Sequence, residues 1–197
     1  MAALWTWREP VLTKLGGLLV EETPPAAADL VAIFDNEVPA AAAAAALLAK
    51  GYAPRILLFK APPVADEKLL DELGIPVPNR HELAILVLRR LGVASEAIAV
   101  EPVTEVDTSV AVQVTARYAS THDATRVIVI TYRSHTRRTA ILLRRALGRS
   151  AVVIARASPD DPFHPEGWWR DRRNSREFIM ESIRWINSLL LGDLWHE

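Results

Sequence analysis

Apolar and polar positions along the chain alternate between two periods. Short β-branched runs recur at Asp29 to Asp35 (DLVAIFD), Pro54 to Phe59 (PRILLF), Glu96 to Pro102 (EAIAVEP), the run opening at Val127 (VIVIT), and Ala151 to Ala155 (AVVIA). Runs this short and this continuously apolar predict strands buried on both faces. Between them lie stretches with helical spacing. Pro39 leads a run of seven alanines that ends at Gly51, so a helix with proline in its first turn and glycine just past its end is expected. Asn79 is placed to cap a helix running through Leu91 with Gly92 at its end, and EVDTSVAVQVTARYAST predicts a helix opened by Asp107 or Thr108. The segment KAPPVADEKLLDELGIPVP, 60–78, is a long excursion with one short helix around Glu67 to Leu73, placed as a lid or as a surface insertion.

Strands alternating with helices specify an α/β fold, a three-layer Rossmann-like sandwich of about five parallel strands with right-handed crossovers. The expected strand order is 3-2-1-4-5. In such sheets ligands bind at the carboxyl ends of the strands, where the order reverses; that places Asp35 and Asn36 opposite Tyr132 to Arg138. The chain reads as one domain over 1–197. Residues 1–28 form a helical segment, rich in Trp5, Trp7, Leu12, Leu15, Leu18 and Leu19, that packs on it. A long C-terminal helix carries Trp168, Trp169, Phe178, Ile179, Ile183, Trp185, Ile186, Leu189 and Leu190 on two apolar faces, one of which the N-terminal segment is expected to cover.

The richest stretch is VIVITYRSHTRRTAILLRRAL, Val127 to Leu147, a strand handing over to its helix through polar residues. Thr139, Leu142, Leu143, Ala146 and Leu147 are the buried stripe of that helix. His135 lies on the same face, and Arg138 stands one turn beyond Ser134. A histidine, an arginine and free backbone N–H groups at a helix start suit an anion. The plainer alternative is that Ser134 caps the helix and His135 bonds a carbonyl. A direct Ser134–His135 nucleophile pair is disfavoured, because adjacent helical residues point about 100 degrees apart.

Composition narrows the field. The 197 residues carry 23 Lys and Arg against 24 Asp and Glu, a net charge of -1, which gives no global field for nucleic acid or an anionic membrane. The local basic clusters, Arg133, Arg137, Arg138, Arg144 and Arg145 and the stretch WWRDRRNSR, could offer nucleic acid phosphate contacts and stacking, but the favoured reading is that Arg137 and Arg144 are a solvated helix face while Trp168 and Trp169 cap the sheet. Cysteine is absent, so disulfides and thiolate chemistry are excluded. The histidines at 81, 122, 135, 164 and 196 show no metal-ligand spacing, and no metal is expected. No apolar run reaches the roughly 18 residues of a membrane span, and a cytoplasmic protein is the simplest expectation.

The succession of ADLVAIFD, ALLAKGYAPRIL, ELAILVLRRLGV with AIAVEPVTEVDTSVA, VIVITYRSHTRRTAILLRRAL and finally WWRDRR with MESIR resembles the YdcF/SanA/ElyC family, a bacterial domain family of largely unknown function, over about Leu15 to Leu191. Thr131, His135 and Arg138 match its T-S-x-Y-H-x-x-R-A type motif. Glu101 and Thr108, with Asp107 in place of asparagine, match its E-x(5,6)-N-T-x-E-N type segment; Glu82, Glu181 and Arg184 stand where the family carries acidic and basic residues. The resemblance implies a small-molecule site, with a nucleotide or S-adenosylmethionine as cofactor and an envelope or nucleotide-like metabolite as substrate of a hydrolase or transferase. The chain departs from the family at two turns: Asp35, Asn36 and Glu37 replace a glycine-rich turn, and Lys60 to Pro63 replace S-G-G. Without glycine a phosphate cannot approach those backbones as closely, which weakens the nucleotide and S-adenosylmethionine implication.

The expectation from sequence is therefore an anionic or phosphorylated ligand at the strand ends. Asp35, Asn36, Asp107, Thr108, Thr131, Ser134 and Arg138 bind it, and His135 acts as acid or base. Glu101 lies in the opposite wall, and Glu101 or Asp35 orients the histidine. The rival from another class is a non-catalytic binding or scaffold protein that kept the fold and lost the glycine turns. Sequence leaves the oligomeric state open.

Overall fold

A computed structural model describes residues 2–35, 37–104 and 107–190, the side chains of 2–7, 189 and 190 excepted. Five parallel strands, β1 (Leu30–Ile33), β2 (Ile56–Lys60), β3 (Ile98–Pro102), β4 (Arg126–Thr131) and β5 (Val152–Ala157), form one sheet in the order 3-2-1-4-5. Helices α1 (Ala2–Gly17), α2 (Val38–Ala49), α3 (Ala65–Glu72), α4 (Arg80–Arg90), α5 (Thr108–Thr121), α6 (Thr136–Leu147) and α7 (Arg172–Leu190) complete the sandwich. The expected architecture and strand order both hold.

Period-2 alternation divides the strand side chains between two cores. Leu30, Ala32, Leu57, Val127, Val129, Val153 and Ala155 meet α5 and α6 through Ala111, Val114, Tyr118, Ala140 and Leu143. Val31, Ile33, Ile56, Leu58, Ile128, Ile130 and Ile154 meet α2 and α4 through Ala40, Ala41, Ala44, Ala84 and Leu88. Covering both faces is what requires uninterrupted apolar strands. The alanines of α2 let that helix lie close against the sheet, which a run of large side chains would prevent.

Caps fix the helices near the strand ends. The Asn79 side chain accepts from the Glu82 backbone N–H at 3.1 Å and the Glu82 carboxylate accepts from the Asn79 N–H at 3.0 Å, so Glu82 is part of a capping box at the start of α4. Between the two candidate caps of α5, Asp107 performs the role, its Oδ1 accepting from the Ser109 N–H at 2.6 Å. In the excursion, α3 buries none of its residues.

A third, smaller core holds the chain ends together. Leu12 and Leu19 pack with Phe163, Trp168, Trp169, Phe178 and Trp185, the Trp168 ring stacks on Phe178 at 3.8 Å, and its indole N–H donates to the Leu12 carbonyl at 2.8 Å. Leu12 and Leu19 thus share one cluster with Phe178 and Trp185 of α7, while Trp5 and Trp7, expected to cover that helix, fall outside the described side chains. Two expectations are corrected. Trp168 and Trp169 do not ride on the C-terminal helix: Gly167, at φ +81°, turns the chain into a single 3₁₀ turn, Trp168–Arg170, and α7 begins only at Arg172. Arg137 is only partly exposed and donates to the Val20 carbonyl at 3.0 Å, which a solvated face does not imply, whereas Arg144 is exposed as expected and pairs at the surface with Glu21; both contacts fasten the segment after α1 to α6.

Candidate functional site

The switch point lies between β1 and β4, whose register runs from Leu30 opposite Val127 to Ile33 opposite Ile130. Just beyond the strand ends the chains remain joined. The Phe34 N–H donates to the Ile130 carbonyl at 2.9 Å, and the Tyr132 N–H donates to Asp35 Oδ2 at 2.7 Å. Both strands then diverge, and a cavity of about 260 Å³ opens between them. Phe34, Phe59, Val103 and Ala111 form its apolar floor; Asp35, Arg80, Thr108, His135, Arg138 and Arg184 supply the polar wall.

β4 passes into α6 through a 3₁₀ turn, Arg133–His135, so the plainer alternative of a Ser134 cap does not hold. His135 sits at the cap position without a side-chain cap bond, and the Ser134 hydroxyl instead donates to Glu177 Oε1 at 3.0 Å. The turn is braced from α7 and from the loop after β5. Asp161 Oδ2 accepts from the Arg133 N–H at 2.7 Å while its Oδ1 accepts from the Phe163 N–H at 2.7 Å.

His135 is held by two carboxylates of α7, one turn apart. Its Nε2 lies 2.9 Å from Glu177 Oε1 and 3.4 Å from Glu181 Oε2. Burial pushes the imidazole pKa down, but the hydrogen bond to Glu177 and the charges of Glu181 and Asp35 outweigh it, so the net shift is upward and favours the imidazolium. Glu177 shifts the other way, held low first by its bond to His135. Nδ1 has no hydrogen-bond partner among the described residues, which leaves one ring N–H for a ligand.

Behind the histidine, Arg138 forms a fork with the fully buried Glu181. Nε to Oε1 is 2.5 Å and Nη2 to Oε2 is 3.2 Å, and Nη2 also reaches Thr108 Oγ1 at 3.2 Å. Arg138 is therefore the compensating cation of Glu181 and the link between α5, α6 and α7. Arg80, exposed at the rim, makes no ion pair or hydrogen bond among the described residues, and the half-exposed Arg184 has only a 3.8 Å contact with Glu181. Those two guanidinium groups and His135 carry the positive charge still open to a ligand.

Asp35 faces the cavity from the opposite side. Burial raises its pKa despite His135, the Thr131 hydroxyl and the Tyr132 N–H, which all favour the carboxylate. The Tyr132 hydroxyl donates to Glu37, and burial together with that carboxylate keeps the phenol protonated. Two acids, Asp35 and Glu37, thus occupy the turn where glycine would admit a phosphate.

The expected residues divide as follows. Asp35, Asp107, Thr108, His135 and Arg138 line the cavity; Thr131 and Ser134 are buried beneath it, bonding Asp35 and Glu177. Asn36 lies outside the described residues. Glu101, expected as the opposite wall and as an orienting group, pairs with Arg117 at 3.1 Å on the outer side of β3 and is not a lining residue; Glu177 and Glu181 orient His135 in its place. Glu177 and Arg80 were not legible from sequence. The S-R-E spacing of Ser175, Arg176 and Glu177 carries no motif, and only the i,i+4 relation of Glu177 to Glu181 would have hinted at a shared face.

His135, Glu177 and Glu181 are the one set of donor atoms within 4.8 Å of one another found among the described residues. Arg138 already supplies both oxygens of Glu181 with positive charge, so a divalent cation there would face a guanidinium 2.5 Å from one of its ligands. The network is complete as a His–Glu–Arg arrangement. Among the described residues no helix is long and apolar enough to cross a membrane. Comparison with protein-family models, curated proteins and solved structures returns no match.

Proposed function

We propose that the cavity at the carboxyl edge of the sheet binds a small anionic or phosphorylated molecule, and that the protein is a YdcF-like bacterial, cytoplasmic α/β domain acting on it as a hydrolase or transferase. The observation that carries this reading is a pair of guanidinium groups at the cavity, Arg80 with no ion pair among the described residues and Arg184 with only a 3.8 Å contact, beside a His135 whose Nδ1 is open. Asp35 and Glu37 oppose negative charge at the β1 turn, so the anion belongs on the α5 and α6 side of the cavity. That placement leaves no phosphate seat at the turn a nucleotide or S-adenosylmethionine would use.

In a phosphoryl transfer the oxygen of the attacking water or hydroxyl forms a new P–O bond and gives its proton to Asp35, while the P–O bond to the leaving group breaks and the leaving oxygen takes the Nδ1 proton of the His135 imidazolium. Both groups are shifted upward, which favours the His135 imidazolium as donor and makes an ionised Asp35 a stronger acceptor. The missing glycines favour a second reading, a binding protein without turnover.

Thermal denaturation with orthophosphate, methylphosphonate and citrate tests the binding claim. A ligand at 100 times its Kd stabilises by about 2.7 kcal/mol, which for a chain of this length raises Tm by roughly 5–11 °C. The shift should shrink in His135→Gln and Arg184→Ala. No shift with any anion, or one equal in both variants, overturns it. Binding without release of p-nitrophenol from p-nitrophenyl phosphate selects the non-catalytic reading.

A further inference from the structure

His135 does not stand at the end of the cavity but in a partition. On its other side, between the 3₁₀ turn and α7, lies a second cavity of about 220 Å³ that shares Tyr132, His135 and Arg184 with the first. Its outer wall is Arg173 and Asn174, and its far wall is the Asp161 to Phe163 loop. The two carboxylates on this side are already engaged: Asp161 accepts two backbone N–H groups, and Glu177 accepts from Ser134 and His135. Arg173 is exposed and makes no ion pair or hydrogen bond among the described residues. Asn174 is fixed, its side chain donating to the Pro162 carbonyl at 3.0 Å and its N–H to Asp171 at 2.8 Å, so the loop and the start of α7 form one wall.

Each compartment thus has its own uncompensated guanidinium, Arg80 in the first and Arg173 in the second. Arg184 and His135 stand between them. A single anion would leave one of these cations unmet, whereas two linked anionic groups would meet both. We propose that the two cavities are one divided site for a doubly anionic small molecule, a bisphosphate or a phosphate-carboxylate, whose linker passes the His135 and Arg184 partition. The inference rests on the reading of the first cavity as an anion site and adds the class of molecule it takes. It also places the segment between the two anionic groups beside His135, the proton donor.

The test is a chemical ruler. Isothermal titration at 0.15 M salt compares methylphosphonate with α,ω-alkanebisphosphonates from one to six methylenes, on the wild type and on Arg173→Glu and Arg80→Ala, both exposed positions whose folding circular dichroism checks. Two groups on a linker that matches the span gain effective concentration, so one linker length should bind at least about tenfold more tightly than methylphosphonate. Arg173→Glu should bring that ratio close to one, and Arg80→Ala should weaken mono- and bisphosphonates alike. A ratio within about twofold at every length, with methylphosphonate still binding, overturns the divided site and leaves the anion site standing. A high ratio untouched by Arg173→Glu overturns the placement of the second anion. Failure of every probe to bind overturns both.

Discussion

The pair of Glu181 and Arg138 offers the sharpest energetic test. Glu181 has no exposed side-chain surface and Arg138 has 7%, so neither charge is solvated once its partner is removed. The coulombic gain of a buried pair is largely cancelled by desolvation, but breaking it leaves one ion stranded at a cost of about 3–5 kcal/mol. The Thr108 hydroxyl would still bond Arg138, yet a neutral oxygen does not compensate a full charge. Glu181→Ala and Arg138→Met should therefore each lose about 3–5 kcal/mol in urea denaturation, or roughly 6–20 °C in Tm. The double replacement Glu181→Leu with Arg138→Met should recover most of that loss, since an apolar pair of similar volume has no ion to strand. Single losses under about 1 kcal/mol, or a double variant that loses the sum of both, would refute the claim that the charges are buried and mutually dependent.

Three further outcomes follow from the same geometry. His135 titrates above the usual histidine range, so its contribution to stability is fully present below the unfolded pKa near 6.5 and is lost as pH rises through the folded value; Glu177→Gln should lower that folded pKa, read from the imidazole proton resonances against pH. Asp35 also has a raised pKa, so ionising it penalises the fold as pH rises through that value; Asp35→Asn, which keeps an acceptor for the Tyr132 N–H, should add about 0.5–2 kcal/mol at pH 7 and little near pH 3, by urea denaturation at both. A Cβ on Gly16 would lie 2.6 Å from Trp168 Cδ1 and 3.0 Å from the Pro165 backbone, so Gly16→Ala should cost about 1–3 kcal/mol and raise proteolytic cleavage of 1–28, followed by mass spectrometry.

The fold was legible because both faces of the sheet are covered. Runs such as Val127 to Ile130 and Leu30 to Ile33 are then apolar at every position, and the parallel order follows from the alternating helices. The His135 end of the site was legible for the same reason, since a strand-to-helix junction marks the carboxyl edge. What sequence could not supply was the third layer of contacts. Glu177 and Glu181 lie more than forty residues after His135 and reach it only because the Trp168 turn redirects α7 across the strand ends. Glu101 does not reach the cavity because it lies six residues before the α5 cap Asp107, far enough for the chain to turn between them, and its carboxylate pairs with Arg117 of α5. Arg138, expected to hold a ligand, was read without the buried acid that occupies it.

The central claim is that His135 and the two open arginines meet an anion at the carboxyl edge of the sheet. Its most direct measurement is a titration of methylphosphonate into the protein at pH 6, following the His135 imidazole carbon and proton resonances by NMR. The account predicts a saturable shift of His135 that disappears in the Arg80→Ala, Arg184→Ala double variant. A His135 resonance that stays in place while the anion binds elsewhere, or that moves only linearly without saturation, would contradict it.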